Sequence, residues 1–481
     1  MRYLHTLFFI ALAFPGIAQN KPASLKECLS IASKNNTSIK QANASLLARQ
    51  YNLEAEQQSY LPKVDLLAGY NYLSKPLEIN LQTVRDGVIE GSSQQNVQLA
   101  TNIIKQITGN EPSQNFKDAV YNSSKNVLGT FYPDYNPALS KQQYFTSSLG
   151  VRQPIYLGGK LQTAKKLAQT ELASGKANLG AVSEELKFAI TLQYIRILYL
   201  NTLALKQQEV VTASQKNLSY AESLVKNQIL PPYQKSWIKV ALIQAQTNQQ
   251  NISIDRQNAT LELYKLLGVS ADTIINITDT LAYAENIAVQ PPATDFWKTN
   301  TSYQFLQSKT AYAETSVRVS RSFALPNIFA IGNINLYQKD LPLTIPPWLV
   351  GVEMQWNIFN GTQTMKRIKA SKQLVEEARL AEENTRQVLN VGAQVVMNKL
   401  NGLQLQVATL DTARQDARIT TRMIQQRMEN MLSSPKDVNE ALLAQTEVDK
   451  LYYTAVLGYY FALAEYYHIT GSAEQMTSIL H

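Results

Sequence analysis

The sequence predicts an α+β membrane protein in which a few membrane-height β-strands lead into very long α-helices, the whole laid out as an internal tandem repeat. Three observations carry this. The first is the stretch Trp348 to Ser434, 87 residues without a proline, which opens as a strand. Trp348, Val350, Val352, Met354, Trp356 and Ile358 alternate with Leu349, Gly351, Glu353, Gln355 and Asn357, so one face is apolar and the other mostly polar or Gly. Trp348 and Trp356 stand roughly 26 Å apart at ~3.3 Å per residue, close to the ~25 Å apolar band between aromatic girdles of an outer-membrane strand. The second is the change of period after Gly361. Leu403, Val407, Leu410, Arg414, Ala417, Thr421, Ile424, Met428 and Met431 follow 4-3-4-3 spacing, a heptad seam diluted by Arg414 and Thr421. Residues 362–432 as one helix would be roughly 105 Å long at ~1.5 Å per residue. The third is a recurrence of turn residues in the two halves.

Taken in order, the chain begins with a segment of signal character: Arg2, an apolar run Leu7–Phe14, and Gly16-Ile17-Ala18 as a small-x-small cleavage site, giving a signal peptide over 1–18. No later stretch reaches ~20 consecutive apolar residues, so the expected membrane contact is through strands. Ser24 and Glu27 form a capping box for a helix over 24–59, which Leu61-Pro62 ends. Val64, Leu66, Ala68, Tyr70 and Tyr72 alternate in a first strand. Residues 74–143 read as a long polar insertion, with Val97, Leu99, Ile103, Ile104 and Ile107 suggesting one short amphipathic helix. A second strand near Tyr144–Leu157 ends at Gly158-Gly159. A proline-free run of 76 residues, Ile155 to Leu230, then keeps a 4-3-4-3 seam through Leu186, Ile190, Gln193, Ile197, Leu200 and Ala204. Pro231-Pro232 turns the chain into a returning helix over 233–267 that Gly268 caps. Residues 269–292 form a linker. A helix over 294–323 and a third strand with Ile328, Ala330, Ile334 and Leu336 lead through a short loop at Pro342 into Trp348. After Pro435 a helix over 436–469 returns, and 472–481 is a tail.

At an offset of 203, Ile155 matches Ile358, Gly158 Gly361, Asn227 Asn430, Pro232 Pro435, Tyr264 Tyr467 and Gly268 Gly471. Upstream the offset is 264: Asn36-Thr37-Ser38 matches Asn300-Thr301-Ser302, and Leu61-Pro62 matches Leu325-Pro326. The 74–143 insertion accounts for the difference. Turn residues recurring in one register divide the chain into a first repeat, 19–268, and a second, 293–471.

Chemistry is sparse. Of 481 residues one is cysteine, Cys28, read as a buried structural thiol, and three are histidine, His5, His468 and His481. No catalytic set, metal site or cofactor loop stands out. The net charge of +8 lies on helices rich in Gln, Asn and Glu without aromatic interleaving, so no nucleic-acid partner is expected.

Four strands cannot sit open in lipid, because each unpaired edge N–H or C=O costs several kcal/mol. Barrels start at about 8 strands, so at least two chains must share one cylinder. Polar inner faces, with Thr146, Arg152, Asn333, Asn335, Glu353 and Gln355 toward a lumen, favour a wide, wet barrel. Tyr70, Tyr72, Trp348 and Trp356 would form the lipid-facing girdle.

The whole mature chain resembles the TolC-like outer-membrane efflux proteins, the outer-membrane factors of tripartite efflux and type I secretion systems. The duplicated layout, Gln153-Pro154-Ile155-Tyr156-Leu157-Gly158-Gly159 with its counterpart Trp356-Asn357-Ile358-Phe359-Asn360-Gly361, and the turns near Pro232 and Pro435 carry the resemblance. It implies a homotrimer, with a 12-stranded outer-membrane β-barrel, four strands per chain, continuous with a periplasmic α-helical coiled-coil barrel. It also implies a periplasmic adaptor (membrane fusion) protein and an RND- or ABC-type inner-membrane transporter as partners, and passive export. The family's returning helices open like G-x-x-S-x-x-D-V-x-x-A. Met431, Ser434, Asp437, Val438 and Ala441 match at four of five positions, whereas Gln228, Pro231, Gln234, Lys235 and Ile238 match at none. By this likeness Asn227, Gln228, Ile229 and Leu230, with Asn430, Met431, Leu432, Ser433 and Ser434, are candidate adaptor-contact turns. Asp437 and Glu440 are a candidate periplasmic gate, or Asp437 simply caps a helix. The competing reading is a secreted helical scaffold or adhesin without channel activity.

Overall fold

In this computed structural model the described residues are 23–480, other than 77, 135, 139, 286, 288 and 339–345. The signal segment, Pro342 and His481 lie outside them. Contacts divide the chain into two units: a helical one, from residues up to 57, 162–321 and 362 onward, and a sheet-bearing one, from 58–161 and 322–361.

In the helical unit, α5 (Lys160–Lys226) and α8 (Gln363–Glu429) have 67 residues each, and the returning α6 (Pro232–Leu267) and α9 (Pro435–Thr470) have 36 each. Both returning helices start with proline at the first position, where its missing N–H costs nothing, and end on Gly268 and Gly471 at φ 69° and 73°. The α8 seam packs as its spacing implies: Val407, Thr421 and Met428 are buried, and only Met431 at its far end is exposed. Its two polar positions find partners. The Arg414 guanidinium lies 3.8 Å over the Tyr452 ring and donates to Asp411, and Thr421 Oγ1 donates to Ala441 O. One described helix, α5, has the length and hydropathy of a membrane span. Between 186 and 204 only Arg196 is exposed, which is the environment of a core helix.

The 24–59 segment is two helices, α1 (Leu25–Asn35) and α2 (Thr37–Gln58). The Ser24–Glu27 capping box is present as expected. Asn36 makes the break: it is extended at ψ 132°, its Oδ1 accepts from Ser38 N, and its Nδ2 donates to Leu266 O at 2.7 Å. Asn300 does the same ahead of α7 (Thr301–Ser322), accepting from Ser302 N and donating to Ile469 O. Each asparagine thus caps one helix start while binding a carbonyl at the end of α6 or α9.

The described residues of the linker 269–292 form neither helix nor strand and are strapped to the helices by side chains. Asn201 Nδ2 donates to Ile277 O and Asp279 O, Tyr460 Oη to Ala282 O, and Tyr466 Oη to Gln290 O. In the tail, α10 (Gln475–Ile479) buries Met476 in the same core. Cys28 is fully buried there, and burial pushes its thiol up to about 11. A maleimide reagent should therefore leave the folded protein unlabelled at pH 8 and label it once in denaturant; fast native labelling would contradict this packing.

The sheet unit contains β1 (Lys63–Tyr72), β2 (Gln143–Tyr156), β3 (Asn327–Gln338) and β4 (Trp348–Gln355), antiparallel in that spatial order. β4 stops one residue before Trp356, whose indole N–H instead donates to Ala324 O. Trp356 is therefore not a strand residue, although the alternation in the sequence runs past it.

The 74–143 insertion is a helical hairpin and not a polar loop with one short helix. α3 (Gln82–Thr108) and α4 (Gln114–Phe131) stand on an extension of the β1–β2 ribbon. Leu73 N donates to Gln142 O at 2.7 Å, Glu78 bridges to Ala138, and Ile79 N donates to Pro137 O. Arg85 locks this neck by donating to Tyr132 O and Gly129 O and pairing with Asp134.

Candidate functional site: the sheet and the helix turns

Strand register decides which side chains share a face, because directly opposed residues point the same way. Val64, Leu66 and Tyr70 on β1 oppose Val151, Leu149 and Phe145 on β2. Leu149 opposes Ile334, and Ile334 opposes Trp348, followed along β4 by Val350, Val352 and Met354. Tyr70, Tyr72 and Trp348 therefore lie on one apolar face, which is bare: Val350 is 73% and Val352 70% exposed. Such a face is far from what a monomer in water presents.

The opposite face holds all six residues predicted to line a lumen. Thr146, Arg152, Asn333, Asn335, Glu353 and Gln355 fall on it together. Arg152 reaches diagonally to Glu353 at 3.5 Å and stacks 3.8 Å over the Phe329 ring. Asn335 Nδ2 donates to Pro346 O. Lys63 and Asp65 also lie on this face through their partners Arg152 and Gly150, and Leu67, Phe329 and Leu349 make it less polar than the sequence suggested. Both outer strands, β1 and β4, are paired on one side only. Because four antiparallel strands alternate in direction, β4 runs opposite to β1, so the two edges are compatible partners.

In the helical unit the two turns have one geometry. Asn227 N, Gln228 N and Ile229 N donate to Ser223, Val225 and Leu224 carbonyls. Asn430 N, Met431 N and Leu432 N donate to Gln426, Met428 and Arg427, the same set displaced by 203. Gln228 and Met431 share φ 59°. Leu230, the exposed Leu432 and the half-buried Ser433 complete the two turns, and Ser434 caps α9. Asp437 is held in a capping box, its Oδ2 accepting from Ser434 N at 2.8 Å and its N–H donating to Ser434 Oγ. Glu440 lies one turn on and faces Lys436 at 3.6 Å. Both carboxylates are exposed. Sequence reasoning missed the anchors of this second turn: Asn217 Nδ2 donates to Pro435 O at 2.8 Å and Tyr220 Oη to Met428 O at 3.1 Å. Among the described residues no group of three or more His, Cys, Asp and Glu could hold a metal.

A four-stranded antiparallel sheet with one bare apolar face, joined to two pairs of very long and long helices, defines the class: this is the TolC-like outer-membrane-factor fold. The likeness to solved structures is specific. VceC of Vibrio cholerae superposes with TM-score 0.68 at 15% identity over 93% of this chain and 96% of that one. The CmeC outer-membrane channel of Campylobacter jejuni gives 0.71 at 12% identity over 100% and 98%. The MtrE outer-membrane channel of Neisseria gonorrhoeae, in its open state, gives 0.68 at 13% over 93% and 89%. No family model matches the sequence and no curated protein matches it.

Proposed function

We propose that the protein is an outer-membrane exit duct, in which three copies close a 12-stranded barrel and their helices form a periplasmic tunnel. The observation that carries this is the bare apolar face of a four-stranded sheet with two compatible open edges. Lipid covers the face with Tyr70, Tyr72 and Trp348, and the face with Arg152 and Glu353 lines the lumen. The four sheet strands and two matched helix pairs fit an internal tandem repeat with equal helix lengths in both copies. The likeness to channel structures supports passive conduction of solutes delivered by an inner-membrane pump of RND or ABC type through a periplasmic adaptor docked on the turns at Asn227–Leu230 and Asn430–Ser434. Detergent-purified protein in planar bilayers should give discrete cation-dependent openings. A protein that washes off membranes in carbonate and stays monomeric in water would instead be the secreted scaffold.

In the closed assembly Asp437 and Glu440, repeated about the axis, form an acidic ring at the tunnel entrance. Asp437 spends one oxygen on its cap, which leaves the second free to face the pore. Asp437→Asn with Glu440→Gln should raise conductance while keeping most of the cap geometry. Unchanged conductance would leave Asp437 as a helix cap alone.

A further inference from the structure

The α3–α4 hairpin carries an interaction face that its own chain leaves uncovered. Across its 27 and 18 helical residues only Ile89 and Ser93 are buried. The side of α3 turned to α4 is set by Arg85, Ile89 and Ser93, and that of α4 by Tyr121 and Ser124, which meet Glu90 and Asn96. At ~100° per residue, Val88 and Leu99 lie about a quarter turn to one side of the α3 line, with Val84 further round and Ile103 nearer the line on the same side. Val127 and Phe131 lie about a quarter turn to the same side of the α4 line, each seen from its own N-terminus. In an antiparallel pair these equal rotations bring both rows to one face. All six are exposed, Phe131 at 77%. The intervening positions of that face, Gly91, Gln95, Val120 and Ser123, are small or uncharged. The charged groups lie along the contact line and the other flank, where Lys125 pairs with Glu90, and Lys105 and Lys117 both pair with Glu111.

We propose that this face is the contact between hairpins of neighbouring copies, so that three hairpins close into a helical cap over the outer end of the barrel. The step rests on the oligomeric reading above. Three observations choose a second copy as the occupant. The hairpin rises on a hydrogen-bonded neck from β1, the strand whose open edge must itself take another copy, so the surfaces are continuous. The face is uncharged throughout and so complements itself. The opposite flank has mixed charge, without the cationic surplus and Trp border of a helix made to lie on anionic lipid. A two-helix layer with one apolar side needs such a partner, since it has no core of its own. The cap would narrow the mouth of the duct and make outward passage depend on the hairpins parting.

Single-cysteine variants of the full-length protein in outer-membrane vesicles test this; buried Cys28 stays silent to the reagent. With a short bismaleimide, Val88→Cys and Ile103→Cys should give covalent dimers, whereas Asp118→Cys on the charged flank should stay monomeric. Val88→Asp with Ile103→Asp should keep the detergent-stable oligomer and raise single-channel conductance. If the apolar-face cysteines stay monomeric while a disulfide across the β1 and β4 edges of two copies still forms, the cap is wrong and lipid or a foreign protein covers the face. If the edge disulfide fails as well, the shared barrel falls and the cap with it.

Discussion

Tyr72→Cys combined with Trp348→Cys should convert the oxidised, detergent-purified protein into disulfide-closed oligomers, and neighbouring cysteine pairs should not. The register between copies follows from the register within one. Crossing the sheet perpendicular to the strands from Asp65 leads to Gly150, Asn333 and then Leu349. Leu349 must next meet a β1 residue of another copy displaced from Asp65 by an even number, since an odd shift would exchange the two faces. For 12 strands at ~4.8 Å and ~3.3 Å per residue, climbs of two, four and six residues per copy give tilts of roughly 19°, 35° and 46°. Barrel strands tilt about 35–45°, which leaves four and six. A climb of four sets Asp65 opposite Glu353, two carboxylates directly across a rung, which is unfavourable. A climb of six removes that contact, setting Asp65 opposite Gln355 and the two strand ends Tyr72 and Trp348 opposite each other at the rim. Directly opposed positions lie within disulfide reach, about 4.5–5.5 Å between Cα atoms, and a two-residue slip exceeds it. Closure through Tyr70→Cys with Trp348→Cys would mean the climb of four. Closure by neither pair would remove the shared barrel.

Period 2 is a strong signal where one face is apolar, so the two faces of the sheet were legible in the sequence. It assigned all six polar-face residues to the side where the register places them. It failed at Trp356, since alternation in a sequence does not report where hydrogen bonding stops. The α3–α4 hairpin was hidden for a different reason. Of its apolar residues only Ile89 is buried, and Gly87, Gly91 and paired serines at 92 and 93 depress helix propensity. The break at Asn36 was obscured because asparagine fits a polar helix surface as readily as a cap. Contacts such as Asn217 with Pro435, 218 residues apart, leave no local trace. The strap on the linker did leave one: tyrosine pairs at 452/453, 459/460 and 466/467 recur every seven residues, and two of those side chains hold its carbonyls.

Gly268→Ala and Gly471→Ala should each destabilise the helical unit severely, and to a similar degree. Both glycines sit past the end of a returning helix with φ near 70°, where a side chain costs roughly 1–2 kcal/mol from backbone strain alone. Packing adds to this. A Cβ at Gly268 would lie 2.7 Å from Asn35 O, and one at Gly471 2.9 Å from Thr299 O, backbone atoms immediately before the two clamping asparagines. Relieving the clash means moving Asn36 or Asn300, whose amide then loses the carbonyl of Leu266 or Ile469 and uncaps the following helix. A cap is worth about 1 kcal/mol and a buried hydrogen bond about as much again, so each substitution should cost roughly 3–4 kcal/mol. Asn36→Ala and Asn300→Ala, which remove the amide without the clash, should cost about 2 kcal/mol each. Chemical denaturation followed by circular dichroism would report all four. If the glycine variants lost no more than the asparagine ones, the close approach at these turns would not be what fixes glycine there. Matched losses at the two sites would show that one packing device, used twice, holds the ends of α6 and α9 to the starts of α2 and α7.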